Sequence, residues 1–253
     1  MTNSMQSTLY IIGTGPGDPE LLTVKALKAI EHCPVVIAPK ASKNGRSTAL
    51  SIIEQAVDLS GKQVHEVYFP MKKIKLGERP LLEVETEWRA TAAKVLEMLD
   101  SGLDLAFPTL GDPAIYSTGY YLYATLLPMR PDIRVQFISG ISAMSSCSAT
   151  IQTPVCLGDD MLAVVPATFS EEKIKKALKE FDAVVLMKVH RVMDKICRLL
   201  VETGLAENAV YIEKAGMVDQ RIITNLSSIP DNPHYFSTIL VRKHRTAMLT
   251  QTR

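Results

Sequence analysis

Five short runs rich in β-branched and aromatic residues, LYIIG, PVVIAP, VHEVYFP, DLAFP and VQFIS, recur between Leu9 and Ser139, and a helical pattern follows each of the first four. A chain that alternates in this way can bury both kinds of apolar surface only by laying helices over a sheet. Connections long enough to hold a helix make the strands they join parallel. The helices are expected near 21–31, 47–57, 86–101 and 120–127. The first part of the chain, 1–153, therefore reads as an α/β domain with a largely parallel sheet.

The layout changes after a turn-rich stretch at 154–160. Strands are expected at MLAVVPA, AVVLMK, AVYIEKAG, QRIITNL and YFSTILVR, with helices over 171–179 and 192–203. Strands crowd the end of this second part, 154–253, and that crowding predicts a mixed sheet with antiparallel members. Two domains imply a cleft, and a cleft is the usual place for a small-molecule site.

The formal net charge is +1, which provides no general field for nucleic acid. Cys33, Cys147, Cys156 and Cys197 have neither C-x-x-C nor zinc-finger spacing and read as reduced core thiols. No secretory leader is recognisable, and Gly, Pro or charge breaks every apolar run short of a membrane span. A soluble, cytoplasmic protein is expected, with no membrane and no nucleic-acid partner.

Three stretches carry a binding signature. In the first, LYIIGTGPGDPELLTVKA, a strand breaks into Gly13, Gly15, Pro16 and Gly17 and then opens into a helix, which places main-chain N–H groups at the mouth of the sheet. The spacing is neither G-x-G-x-x-G nor a P-loop. A polar ligand or a purely structural turn would each account for it. The second stretch, FPTLGDPAIYSTGYYLY, delivers Gly111 and Asp112 outside the carboxyl end of a parallel strand, where ligands of open α/β sheets bind. Asp112 before Pro113 also suits a helix cap. Tyr116, Ser117, Tyr120 and Tyr121 would line a polar-aromatic wall. The third, SGISAMSSCSATIQTP, is a helix of small residues that allows close approach of a ligand or of another backbone.

MKKIKLGERPLLEVETEWR, over 71–89, reads either as a solvated loop or as an anion-binding lid using Lys72, Lys73, Lys75 and Arg79. Trp88 reads as a packing residue. In the second part, Leu186-Met187, Ala215-Gly216 and Thr238-Ile239 lie at strand ends or in the last strand. There is no G-x-S-x-G elbow, no H-E-x-x-H and no carboxylate cluster of metal spacing. His32, His65, His190, His234 and His244 read as isolated surface or helix-end residues. The chemistry is expected to need neither a nucleophilic side chain nor a metal.

Four blocks in order, GTGPGDPELLTVKA, TLGDPAIYST, SGISAMSSCSA and EKAGMVDQRI, resemble the tetrapyrrole (corrin/porphyrin) methylase family over nearly the whole chain. TLGDPAIYSTGYYLY and the insertion around Lys72 resemble the subgroup that methylates carbon 20 of precorrin-2 or cobalt-factor II in cobalamin biosynthesis. The resemblance implies the two-domain tetrapyrrole methylase fold, a homodimer, and S-adenosyl-L-methionine bound in the cleft, with S-adenosyl-L-homocysteine as product. It assigns the amino-acid end of the cofactor to Leu110, Gly111 and Asp112, with Pro16, Ile115 and Tyr116 flanking. Ser142 and Ala143 fall near its carboxylate and ribose, Leu186 and Met187 near its adenine, and Ala215, Gly216, Thr238 and Ile239 complete that pocket. Arg46, Lys72, Lys73 and Arg79 would meet the carboxylates of the tetrapyrrole substrate. Leu110 stands where many members have a second glycine. No general base is identified: Asp112 suits binding better, and Tyr116 would need a strongly perturbed pKa.

Other readings are a family member acting at another ring carbon, a diphthine synthase-like enzyme, or a nucleotide-binding module without chemistry. The last is opposed by Lys40, which ends PVVIAPK where a ribose-binding acid would stand. Between the two carbon-20 substrates, the opening block favours the cobalt-containing one.

Overall fold

The apolar runs of the first part all become strands in a computed structural model of the chain, which describes residues 6–71 and 79–244. β1 (Leu9–Gly13), β2 (Val35–Lys40), β3 (Gln63–Tyr68), β4 (Leu105–Thr109) and β5 (Val135–Ile138) form one sheet in the order β3-β2-β4-β1-β5. Every neighbouring pair is parallel. Residue parity explains why the inner strands β1, β2 and β4 lack a polar side. Leu9, Ile11, Val35, Ile37 and Phe107 face one core layer, whereas Ile12, Val36, Ala38, Ala106 and Ile138 face the other.

α1 (Val24–His32) and α2 (Thr48–Ile53) cover the second of these layers, and α3 (Leu82–Asp100) and α4 (Gly119–Leu126) cover the first. Thr23 and Ser47 cap α1 and α2 by accepting from the N–H of Ala26 and Leu50. α3 starts before the expected position 86, with Glu83 and Glu85 in its first turn, where the helix dipole favours negative charge. Trp88 packs as expected, stacked on Phe69 and Tyr121 with its indole N–H donating to the Pro70 carbonyl.

The strand order places β1 beside β4, although their connections run in opposite directions. β1 leads through α1 to β2, while β4 leads through α4 to β5 on the far side of β1. Because α1 and α4 lie on opposite faces, the chain diverges at the carboxyl ends of β1 and β4. This is the topological switch point of the sheet.

The described residues from 143 to 244 form a second compact unit. β6 (Leu162–Pro166), β7 (Ala183–Met187), β8 (Ala209–Glu213), β9 (Arg221–Ile223) and β10 (Ser237–Arg242) pair in the order β6-β7-β10-β8-β9. Only β6 and β7 are parallel, so the mixed sheet expected from the crowded strands forms. α6 (Glu171–Glu180) and α7 (Met193–Glu202) cover one face. On the other face lies α5 (Ala143–Thr150), packed against β10 through Cys147. For that reason the units divide after Ser142, and not at the 153/154 boundary that turn composition suggested: the small-residue helix belongs by packing to the second sheet.

Candidate functional site

At the switch point, three loops meet main chain to main chain. A Cβ on Gly13 would lie 2.6 Å from the Gly140 nitrogen and 2.7 Å from the Gly111 oxygen, and one on Gly140 would lie 2.4 Å from the same oxygen. Only glycine fits at either place. Beside them Gly15 and Gly111 exchange hydrogen bonds, with the Gly111 N–H donating over 2.7 Å and the Gly15 N–H over 3.3 Å. Both have left-handed φ values, +75° and +72°. A Cβ at Gly111 would meet nothing within 4 Å among the described residues, so the junction is open on that side.

The Asp112 carboxylate fastens this junction. One oxygen accepts from the Ala114 N–H at 2.7 Å and the other from the Gly140 N–H at 3.0 Å. Asp112 thus acts as the cap of the turn that follows Gly111. Below it, the Thr109 hydroxyl lies 2.8 Å from Ser117 Oγ and 3.1 Å from Thr118 Oγ1, and Ser117 Oγ accepts from the Gly119 N–H. These hydroxyls brace the start of α4 against the end of β4.

In the second unit the relevant strand ends also coincide. Thr238 lies opposite Met187 on one side and Ile212 on the other, and Glu213 lies opposite Ser237. Leu186 and Ile239 point into the α6–α7 core and are fully buried. Met187 and Ala215 face the α5 side instead. There burial pushes the Cys147 thiol up to about 12, outweighing its hydrogen bond with Thr238. Ala215 itself is flanked by two left-handed residues, Lys214 and Gly216. Among the described residues, neither main-chain polar group of Ala215 has a hydrogen-bond partner.

The remaining sequence candidates disperse in instructive ways. Pro16 is buried in the loop after β1, Ile115 donates its N–H to the Asp112 carbonyl, and Leu110 packs against the α1–α2 core layer. Ser142 is buried as the last residue of the first unit, and Ala143 opens α5. Arg46 is exposed and paired with Glu54, Arg79 is exposed, and Lys72 and Lys73 lie outside the described residues.

The expected tyrosine wall does not form. Tyr121 stacks on Trp88, Tyr120 stacks on Phe137, and Ser117 is buried. Consecutive helical residues leave the axis in different directions, so this run cannot present one face. Tyr116 has a left-handed φ of +52°, and burial moves its phenol further above the ordinary value of 10.0.

Nor are all the histidines isolated. His190 stacks edge-on against Tyr235, and its pKa is held down first by burial, then by the charge of Arg191 and by His234. Cys156 is exposed, not a core thiol. Among the described residues no group of three His, Cys, Asp or Glu could hold a metal ion, and no helix is long and apolar enough to cross a membrane.

Sequence reasoning missed Gly140 and Gln220 and gave Glu213 no role. The signal for the last two was the spacing in EKAGMVDQRI, which puts Arg221 opposite Glu213 across a hairpin.

The chain is thus an α/β protein in which a parallel sheet, with a main-chain junction at its switch point, is followed by a mixed sheet. Residues 8–230 match the Tetrapyrrole (Corrin/Porphyrin) Methylases, and the chain belongs to that family. It is 32% identical to the cobalt-precorrin-2 C(20)-methyltransferase of Salmonella typhimurium, over 94% of this chain and 98% of that protein. It is 34% identical to the precorrin-2 C(20)-methyltransferase of a Sinorhizobium species, over 91% of this chain and 93% of that one. The fold matches that of uroporphyrin-III C-methyl transferase from Thermus thermophilus complexed with S-adenyl homocysteine. The TM-score is 0.64 at 18% identity, over 93% of this chain and 97% of that chain.

Proposed function

We propose that this chain transfers a methyl group from S-adenosyl-L-methionine to carbon 20 of precorrin-2 or its cobalt form in cobalamin biosynthesis. The observation that carries this reading is agreement along almost the full length of both chains with two C(20)-methyltransferases, at 32% and 34% identity. Bound S-adenosylmethionine supplies an electrophilic methyl group, and the substrate's electron-rich meso carbon is its acceptor. What the protein must add is alignment and exclusion of water. The main-chain junction at Gly13, Gly111 and Gly140 suits the amino-acid end of the cofactor, and the open main chain of Ala215 suits its adenine. Ser142, Ala143, Met187 and Thr238 belong to the same proposal, while Leu186 and Ile239 would act through their backbone.

Neither candidate base is suited to accept the proton released from carbon 20. Asp112 already spends both oxygens on main-chain N–H groups, and Tyr116 is moved away from neutrality. With neither side chain placed to take it, the carbon-20 proton would pass to solvent as the product leaves, and the protein's contribution is accordingly positional. Arg46 and Arg79, with Lys72 and Lys73, are the proposed partners of the substrate carboxylates. A homodimer in the cytoplasm completes the reading.

Turnover under strict exclusion of oxygen tests it. Methylation of cobalt-factor II or precorrin-2 is expected, with a higher kcat/KM for the cobalt form. Silence on both, with activity on a later intermediate, would move the enzyme to another ring carbon.

A further inference from the structure

The turn over 214–220 is held by an assembly of side chains that the methyl transfer does not itself require. Glu213, at the end of β8, is almost completely buried, yet it carries a carboxylate. One oxygen accepts from the Tyr211 hydroxyl at 2.5 Å and from the His234 N–H at 2.8 Å. The other accepts from Arg221 Nε at 3.0 Å and Nη2 at 2.5 Å. Burial alone would raise the Glu213 pKa, but these donors reverse the effect and hold it below the ordinary 4.5. The carboxylate thereby ties together β8, β9 and the segment leading into β10.

A buried ion pair is weak grounds for stability, because desolvation consumes most of its attraction. It is better suited to fixing one geometry. Within the loop closed by that tie, Gln220 Oε1 accepts from the Gly216 N–H at 2.9 Å, and the Lys214 N–H donates to the Phe236 carbonyl at 2.8 Å. Lys214 also pairs with Asp219 across the turn. Lys214 is a non-glycine residue in the left-handed region, which such residues adopt only when their surroundings hold them there. The residue between these fixed points is Ala215, whose N–H and C=O are both unpartnered among the described residues. An adenine edge presents a donor and an acceptor side by side, the complement of such a pair.

We infer that Gln220 and Glu213 are positioning residues that fix the Ala215 main chain in the shape that receives the adenine of the cofactor. This rests on the cofactor reading above. Gln220 sets the turn directly, through the Gly216 N–H. Glu213 sets the base of the turn.

Calorimetry of the full chain with S-adenosylhomocysteine tests the inference. Gln220→Leu keeps much of the size of the side chain and removes the acceptor. Its dissociation constant is expected to rise about tenfold at unchanged stoichiometry. Gln220→Glu keeps an acceptor oxygen and should stay within about twofold of wild type. Glu213→Gln turns an acceptor facing four N–H and O–H donors into a group that also donates, so it should weaken binding at least as much as Gln220→Leu. If that variant does not fold, the Gln220 pair decides alone. Wild-type affinity in Gln220→Leu, or equal losses in both Gln220 variants, would overturn the inference while leaving the cofactor reading intact. A wild-type chain that does not bind S-adenosylhomocysteine overturns both, and is distinguished because it fails before any substitution is made.

Discussion

At the scale of single residues, the switch-point junction is decided by the absence of side chains as much as by their presence. A methyl group at Gly13 would strike main-chain atoms of both Gly140 and Gly111, and backbone cannot swing aside as a side chain can. Gly13→Ala should therefore cost at least the ~1–3 kcal/mol of an overpacked core, read as a lowered urea midpoint. Asp112→Ala removes the acceptor of the Gly140 and Ala114 N–H groups. About 1 kcal/mol of stability and about tenfold in S-adenosylhomocysteine affinity should be lost together, because the loop being held is the proposed binding loop. A loss of stability at unchanged affinity would make Asp112 a cap and nothing more. The sequence marked Gly13 in one loop and Gly111 and Asp112 in another. It could not reveal that Gly140, 127 residues from Gly13, closes the same contact, since close approach across a sheet leaves no local signature.

At the scale of elements, the strands were legible because burial on both faces demands unbroken apolar runs, and helices because each presents a single apolar stripe. α3 shows the limit of that logic. Its amphipathic face placed Trp88 in the core, but which rings Trp88 meets depends on Phe69 and Tyr121, from β3's end and α4. As the chain's single tryptophan, Trp88 provides a probe of the first unit. Trp88→Ala should destabilise that unit by ~3–5 kcal/mol, seen as an earlier transition in thermal unfolding followed by circular dichroism. α5 marks a second limit. Its small residues promised close packing without naming the partner, and the partner proved to be β10 in the second unit.

At the scale of the whole molecule, stability should depend on pH in two steps. His190 and His234 are held below the ordinary 6.5, first by burial and then by neighbouring positive charge. Glu213 is held below 4.5 against its burial. In each case the unfolded chain binds more protons, so the contribution is complete above the ordinary value and is lost as pH falls through the lowered one. Denaturant midpoints taken from about pH 7 to about pH 4 should fall first below 6.5 and again below 4.5, and Glu213→Gln should flatten the second step. By itself the amino-acid sequence determined two α/β layouts, one parallel and one mixed, together with the loops at which a ligand would be held, because hydrophobic period and turn chemistry are local properties of a chain. Only the tertiary structure decided that β1 lies beside β4, that Gly140 closes on Gly13 and Gly111, and that Glu213 gathers Tyr211, Arg221 and the His234 amide. Strand order and the approach of Gly140 to Gly13 and Gly111 are set by contacts between residues far apart in the chain, which no short window contains; Glu213 and Arg221 lie within one hairpin, but their burial together with the His234 amide depends on the packed sheet.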